Sequence, residues 1–253
     1  MKKFLLFLLL LAVACPLWAQ GGRDKILERV QQAGTTLDEI MSAPDNGIPD
    51  DILSNAECVA VVPSYLKGAF VVGASYGRGV ASCRTQSGWS APAFFTLKGG
   101  SFGFQIGGQA VDLVMVIMNQ NGMRQLMNSK FELGADASVA AGPVGRHAGG
   151  ATDWKMRAQV LTYSRARGVF AGISLKGSVV SQDRDSTRSF YGRIVPTRTL
   201  LTGEHPAPQD ADPFLAALRK YAPLSTQPQP AATPAKPVPP QTPATAKPAQ
   251  PQH

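Results

Sequence analysis

Residues 58–84, CVAVVPSYLKGAFVVGASYGRGVASCR, decide the fold. Cys58 to Val62 is a β-branched run, and Gly68 to Tyr76 with Gly79 to Arg84 reads as a hairpin about Gly77-Arg78-Gly79. The same pattern continues through Ala93–Leu97, Ser101–Ile106 and Val111–Met118. Twenty-one of the 25 glycines fall between Gly68 and Gly203, a density that marks turns, bulges and close backbone approaches. These segments predict a curved or barrel-like antiparallel sheet.

Helical signals flank and interrupt the strands. Ile26, Val30, Ala33, Leu37 and Ile40 recur at spacings of four and three, predicting a helix over 23–42 with one apolar face. Pro49-Asp50-Asp51 suits a helix start, since Pro fits the first turn and the acids face the positive end of the dipole. A further helix is expected over 121–130, with Gly122, Met123, Leu126 and Met127 towards the core. Residues 131–141 then return to a strand pattern, and 159–164 with 168–175 form a hairpin joined by Arg165-Ala166-Arg167. The class is α+β, a single domain over 20–203, with 204–222 as a connecting segment.

The two ends differ from the middle in composition. Lys2 and Lys3 precede the apolar run Phe4–Ala14, the arrangement of an export signal. Eleven apolar residues are too few for a membrane-spanning helix, which needs about 20. Two processing sites compete: cleavage after Ala19, or a lipoprotein-type signal that places the acylated residue at Cys15. The expected location is the periplasm or cell envelope, by tether if Cys15 carries lipid. Residues 223–253 contain ten prolines and no aromatic side chain, the composition of an unfolded, extended tail.

With Cys15 removed or acylated, Cys58 and Cys83 are an even pair in a compartment that permits disulfides. A Cys58–Cys83 bridge is expected; the alternative is two buried thiols.

Charge is unevenly spread. Residues 20–51 hold three basic and seven acidic groups, whereas residues 52–203 hold sixteen basic and seven acidic. A cationic domain of this kind favours an anionic partner. Catalytic machinery does not emerge: His147, His205 and His253 are far apart, and no His, Cys or carboxylate spacing resembles a metal site. Gly73-Ala74-Ser75-Tyr76-Gly77 matches G-x-S-x-G, but a nucleophile elbow needs a helix after the serine, and Arg78 to Arg84 reads as strand. Gly99–Gly103 and Gly142–Arg146 are candidate anion nests, or simply tight turns. No catalytic residue, metal or cofactor is expected.

Several ordered blocks carry a family resemblance: Gly88-Trp89-Ser90-Ala91-Pro92; Gln105-Ile106-Gly107 through Asp112–Asn119; Leu133-Gly134-Ala135-Asp136 through Gly145-Arg146; Tyr163–Gly172; and Phe190-Tyr191-Gly192. Together they resemble the SYLF domain family over about 170 residues. That resemblance implies a lipid-binding module, since eukaryotic relatives bind phosphoinositide membranes and, in yeast, actin filaments. The export-type N-terminus, the expected disulfide and the acidic first helix depart from the eukaryotic pattern.

Read from the residues themselves, the candidate lipid-binding patch is Lys155, Arg157, Arg165, Arg167, Lys176, Arg184, Arg188 and Arg193, each cation contributing on the order of 1 kcal/mol at an anionic surface. The expected partner is an anionic lipid or membrane surface. A protein partner or another polyanion is the alternative, and nucleic acid is not expected, because export and the scarcity of stacking platforms argue against it.

Overall fold

The computed structural model describes residues 17–43, 47–69, 72–102, 107–142, 158–166, 169–170 and 175–223. In chain order the elements are helices α1 (Leu17–Met41) and α2 (Asp50–Ser54), then strands β1 (Cys58–Ala69), β2 (Val72–Thr85), β3 (Gly88–Trp89), β4 (Ala93–Phe102) and β5 (Gly107–Ile117). Helix α3 (Gln120–Met127) follows, then β6 (Lys130–Glu132), β7 (Val139–Ala141), β8 (Val160–Ala166), β9 (Val169–Phe170) and β10 (Val179–Gln182). Helices α4 (Arg184–Tyr191), α5 (Thr197–Leu201) and α6 (Asp212–Tyr221) close the described chain, with a 3-10 turn at Gln209–Ala211 before α6.

Alternation along β1 sets the layers. Val59 and Val61 point to one face, where α1, α2 and α6 deliver Val30, Leu37, Ile40, Leu53, Phe214 and Leu218. Cys58, Ala60, Val62 and Tyr65 point to the other, meeting Leu113, Met115, Met123, Leu126, Leu200 and Leu201. Successive side chains on a strand face opposite ways, so burying both sets sandwiches the central strands. The result is the expected α+β domain built on a curved sheet.

The strand order is β6-β10-β4-β2-β1-β5-β8-β7, with β3 paired to β2 and β9 to β8. β6 and β7 end that order, yet only residues 133–138 separate them in the chain. A link that short reaches about 25 Å at most, so the sheet must curl until its two margins approach each other. Every pairing among the described strands is antiparallel except β7 with β8.

Four expectations change. Ala93–Leu97 and the start of Ser101–Ile106 are not separate strands: β4 runs unbroken from Ala93 to Phe102 through Gly99 and Gly100. Gly77-Arg78-Gly79 is not a turn: β2 runs unbroken through it, and the β1–β2 connection falls at residues 70–71. Its glycines make room instead, because a Cβ at Gly77 would overlap Val62 and Tyr65, and one at Gly79 would overlap the Phe95 ring. Residues 131–141 are two short strands, β6 and β7, rather than one, divided by a turn in which Gly134 adopts φ 95°. Residues 204–222, expected as a connecting segment, carry α6, whose Phe214, Leu215 and Leu218 are buried in the core.

Helix α6 is locked on both sides. Gly34 of α1 allows the close approach, since a Cβ there would overlap the Pro213 carbonyl. At the other end Trp89 Nε1 donates to the Ala222 carbonyl at 3.0 Å, and Arg84 donates to Pro223, Ala56 and Leu53 carbonyls at 2.9, 2.8 and 2.9 Å. The Arg84 guanidinium also stacks 4.9 Å from the Trp89 ring. One side chain thus ties the end of α2, β2 and the C-terminal end of the domain together. The Pro-rich tail and the export signal, including Cys15, lie outside the described residues, although α1 already begins at Leu17.

Cys58 and Cys83 face each other across β1 and β2 and form the expected disulfide. The bridge spans a sequence separation of 25. The double variant C58A/C83A is expected to lose about 3–4 kcal/mol of unfolding free energy, the loop-closure value for that length. Urea titration followed by circular dichroism checks it.

Candidate functional site

The N-terminal half of α1 crosses the outer part of β1 and β2 and leaves a groove of about 260 Å³, lined by Lys25, Glu28, Arg29, Gln32, Ser64, Leu66, Tyr76 and Arg78. Its floor is set by an ion pair. Arg29, three residues past Ile26 and one before Val30, lies beside the apolar stripe of α1 and is itself buried. Its Nη1 donates to Ser186 Oγ at 3.0 Å and lies 3.5 Å from Asp183 Oδ2.

Asp183 is fully used. Its carboxylate caps α4 by accepting from the Ser186 amide at 3.0 Å and the Ser186 hydroxyl at 2.7 Å, the usual way to satisfy a helix's first amides. Burial pulls the Arg29 guanidinium below its ordinary pKa, and Asp183 partly offsets this. The guanidinium also sits 6.0 Å from the Phe94 ring, which packs edge-on against Phe190.

Arg78 is the outward cation of the groove. Its Nε donates to Tyr76 Oη at 2.8 Å, a bond that raises its pKa. Asp183 is 4.0 Å away, and the Arg78 side chain remains 55% exposed. Lys25 is exposed on the opposite wall. At the groove's edge Ser64 adopts φ 56°, and the Asp112 carboxylate accepts its amide at 3.0 Å. That residue sits in the bulge between Val62 and Tyr65, where the β1–β5 register shifts.

Of the eight cations singled out from the sequence, the structure describes Arg165, Lys176, Arg184, Arg188 and Arg193. Lys155, Arg157 and Arg167 lie outside the described residues. Arg165 on β8 reaches back to Glu39 of α1 at 3.0 Å. Lys176 stands in the turn before β10, and its side chain packs over Gly134. Arg184 and Arg188 share α4, where Arg188 lies 3.9 Å from Asp185, and Arg193 follows the helix's terminal Gly192. On α1, Arg29 meets the start of α4 and Glu39 meets Arg165; about 15 Å of helix separates the two positions, which sets Arg165 apart from the α4 cations.

Sequence reasoning passed over Arg78 because two glycines made it look like a turn residue. Arg29 carried a usable signal, a charge adjoining the buried stripe. The G-x-S-x-G match lies wholly within β2, and the Ser75 hydroxyl is 2.7 Å from Tyr65 Oη. Gly99 to Phe102 of the first candidate nest lie in β4, while 143–146 of the second lie outside the described residues. Among the described residues no helix is long and apolar enough to cross a membrane, and no three His, Cys, Asp or Glu side chains cluster as metal ligands.

A curled α+β domain with a polar groove, held by a buried ion pair and offering outward guanidinium and ammonium groups, defines a binding module. Residues 98–221 match the family model Ysc84, described as Las17-binding protein actin regulator. The chain is 33% identical over 182 residues to SH3 domain-containing YSC84-like protein 1 of Rattus norvegicus, covering 71% of this chain and 53% of that protein. It is 35% identical over 175 residues to SH3 domain-containing protein PJ696.02 of Schizosaccharomyces pombe, covering 68% and 40%. LAS seventeen-binding protein 3 of Saccharomyces cerevisiae is 32% identical over 182 residues, covering 70% and 39%. The chain belongs to the Ysc84, or SYLF, domain family, and it spans about half the length or less of these relatives. Their names are those of binding and adaptor proteins.

The buried and exposed arginines of the groove separate in a stability experiment. Arg29→Ala removes the buried cation from Asp183, leaves it the exposed Arg78 at 4.0 Å, and is expected to cost about 3 kcal/mol. Arg78→Ala, at an exposed position, is expected to stay within about 0.5 kcal/mol of the parent. Thermal and urea unfolding of the two variants checks the contrast.

Proposed function

We propose that this chain is a non-catalytic module that binds anionic lipid, of the phosphorylated-headgroup kind, at a membrane surface of the cell envelope. The observation that carries the reading is Arg78. It is exposed at the groove, oriented by Tyr76, and its Nη donors are without a hydrogen-bond partner among the described residues. A guanidinium held in this way suits the geometry of phosphate oxygens. Lys25 across the groove adds a second charge, and the surplus of cations over residues 52–203 supplies long-range attraction. Family membership supports the same class of partner. The envelope location rests on Lys2, Lys3 and the apolar run Phe4–Ala14; intact mass of the processed protein separates a Gln20 start from an acylated Cys15.

A protein partner is the second reading, favoured by relatives whose names record Las17 binding and actin regulation. Co-sedimentation with vesicles tests the first. Phosphatidylcholine vesicles containing phosphatidylglycerol are expected to bind the protein, and pure phosphatidylcholine vesicles to leave it in solution. Added salt weakens the binding by screening exposed charges, and K25E/R78E reduces it at least tenfold, two cations contributing about 1 kcal/mol each. Equal binding to neutral vesicles, or none to either, overturns the lipid reading and leaves the protein partner.

A further inference from the structure

The outer ends of the central strands present an apolar surface that starts at the lip of the groove, which Leu66 and Tyr76 help to line. Leu66 is paired in register with Tyr76 and with Ala110, and Tyr76 with Lys98, so one cross-strand row reads Ala110, Leu66, Tyr76, Lys98. Leu66 is 55% exposed and Tyr76 38% exposed. Beyond the intervening row of Gln109, Lys67, Ser75 and Gly99, the next row on the same face is Gly108, Gly68, Ala74 and Gly100, all small and all exposed. No bulky side chain in that row shields Leu66 or Tyr76 from what lies beyond the strand ends.

Cations surround this row. Lys67, Arg78 and Lys98 belong to the same strand ends; the acids nearby are Asp112, engaged by the Ser64 amide, Glu28 on the groove wall, and Asp183, buried beneath Arg29 and 4.0 Å from Arg78. The Lys98 ammonium lies 5.8 Å from the Tyr76 ring centroid, and Arg78 bonds the Tyr76 hydroxyl. Apolar and cationic groups therefore sit at one level, an arrangement that matches the boundary between anionic headgroups and acyl chains.

Backbone pairing permits entry into an apolar layer. β1 is paired with β5 on one side and β2 on the other as far as Ala69, and β2 is paired with β4 as far as Val72. The ladder groups of the two central strands are satisfied before any membrane is met, which lowers the cost of bringing their backbone out of water; β4 beyond Lys98 and β5 before Asp112 have no outer partner among the described strands, so entry stops at the interfacial layer, where water and headgroups still reach those edges.

We propose that this end of the sheet, with Leu66 and Tyr76 at its centre, inserts into the interfacial layer of an anionic bilayer, so that the domain docks by its strand ends while α1 stays on the sheet. The inference rests on the lipid reading above and specifies the contacting surface.

The full chain carrying Leu66→Cys, labelled with the environment-sensitive fluorophore NBD, tests it against phosphatidylglycerol-containing vesicles; Ser87→Cys, at the far end of β2, is the control. NBD at position 66 is expected to brighten, shift to the blue and be quenched by doxyl-labelled lipid, with position 87 unchanged. In unlabelled protein L66S and Y76S are each expected to weaken vesicle binding about tenfold without lowering the melting temperature, because both side chains are exposed. Retained binding with no change at position 66 and no loss in L66S overturns the insertion surface and leaves the lipid reading intact. No vesicle binding by the parent protein overturns both.

Discussion

Burial of both faces of β1 and β5 is the constraint on which the molecule depends. Residues 58–62 and 113–117 are almost wholly inaccessible, so each face needs its own cover. α1, α2 and α6 provide one, and the curl of the sheet, closed by α3, α5 and the short outer strands, provides the other. Loss of either cover would expose half of an apolar strand pair to water at roughly 25 cal/mol per Å². The disulfide joins β1 to β2 at the Cys58 end, where both faces of β1 are buried, and Arg84 beside it fastens the C-terminal end of the domain to the same place.

The groove follows from how α1 is seated. An apolar stripe alone would hold the helix on the sheet at any of several rotations and shifts. Arg29 removes that freedom by reaching Asp183 and Ser186 at the start of α4, 154 and 157 residues later in the chain. The pair is buried, and such pairs are better understood as fixing geometry than as adding stability. Its consequence is a fixed gap between α1 and β2 in which Arg78 stays exposed. The strand ends with Leu66 and Tyr76 and the clamp formed by Arg84 and Trp89 lie at opposite ends of the same hairpin. Eight residues of β2 separate Tyr76 from Arg84, on the order of 25 Å of extended chain. The surface formed by Leu66 and Tyr76 and the clamped C-terminal end of the domain are accordingly separated by the length of the core.

Much of the architecture was legible in the chain because it is written in short periods. The stripe from Ile26 to Ile40, the β-branched run at Cys58 and the Pro49-Asp50-Asp51 start are local patterns, and each corresponds to an element of its type. The pairing of Cys58 with Cys83 was reachable by counting. Glycine misled where its role was packing: Gly77 and Gly79 carry the composition of a turn but serve the side chains of Val62, Tyr65 and Phe95, which are contributed by other strands. α6 was missed because a Pro-rich neighbourhood hid a ten-residue amphipathic segment. The candidate site was the least legible part, since proximity in sequence said nothing of which cations share a surface, and Arg165 and Arg188 proved to have carboxylate neighbours at Glu39 and Asp185.

By itself the chain determined the α+β class, the presence of strand and helix in the right order, the cationic balance of the domain and membership of a family, because composition and periodicity are properties of neighbours along a polymer. Tertiary structure alone decided that Arg29, Asp183 and Ser186 meet, that Arg78 faces a groove, and that Leu66 and Tyr76 stand side by side in water. Those relations depend on register between strands and on the rotation of a helix, both set by long-range packing that no local pattern encodes.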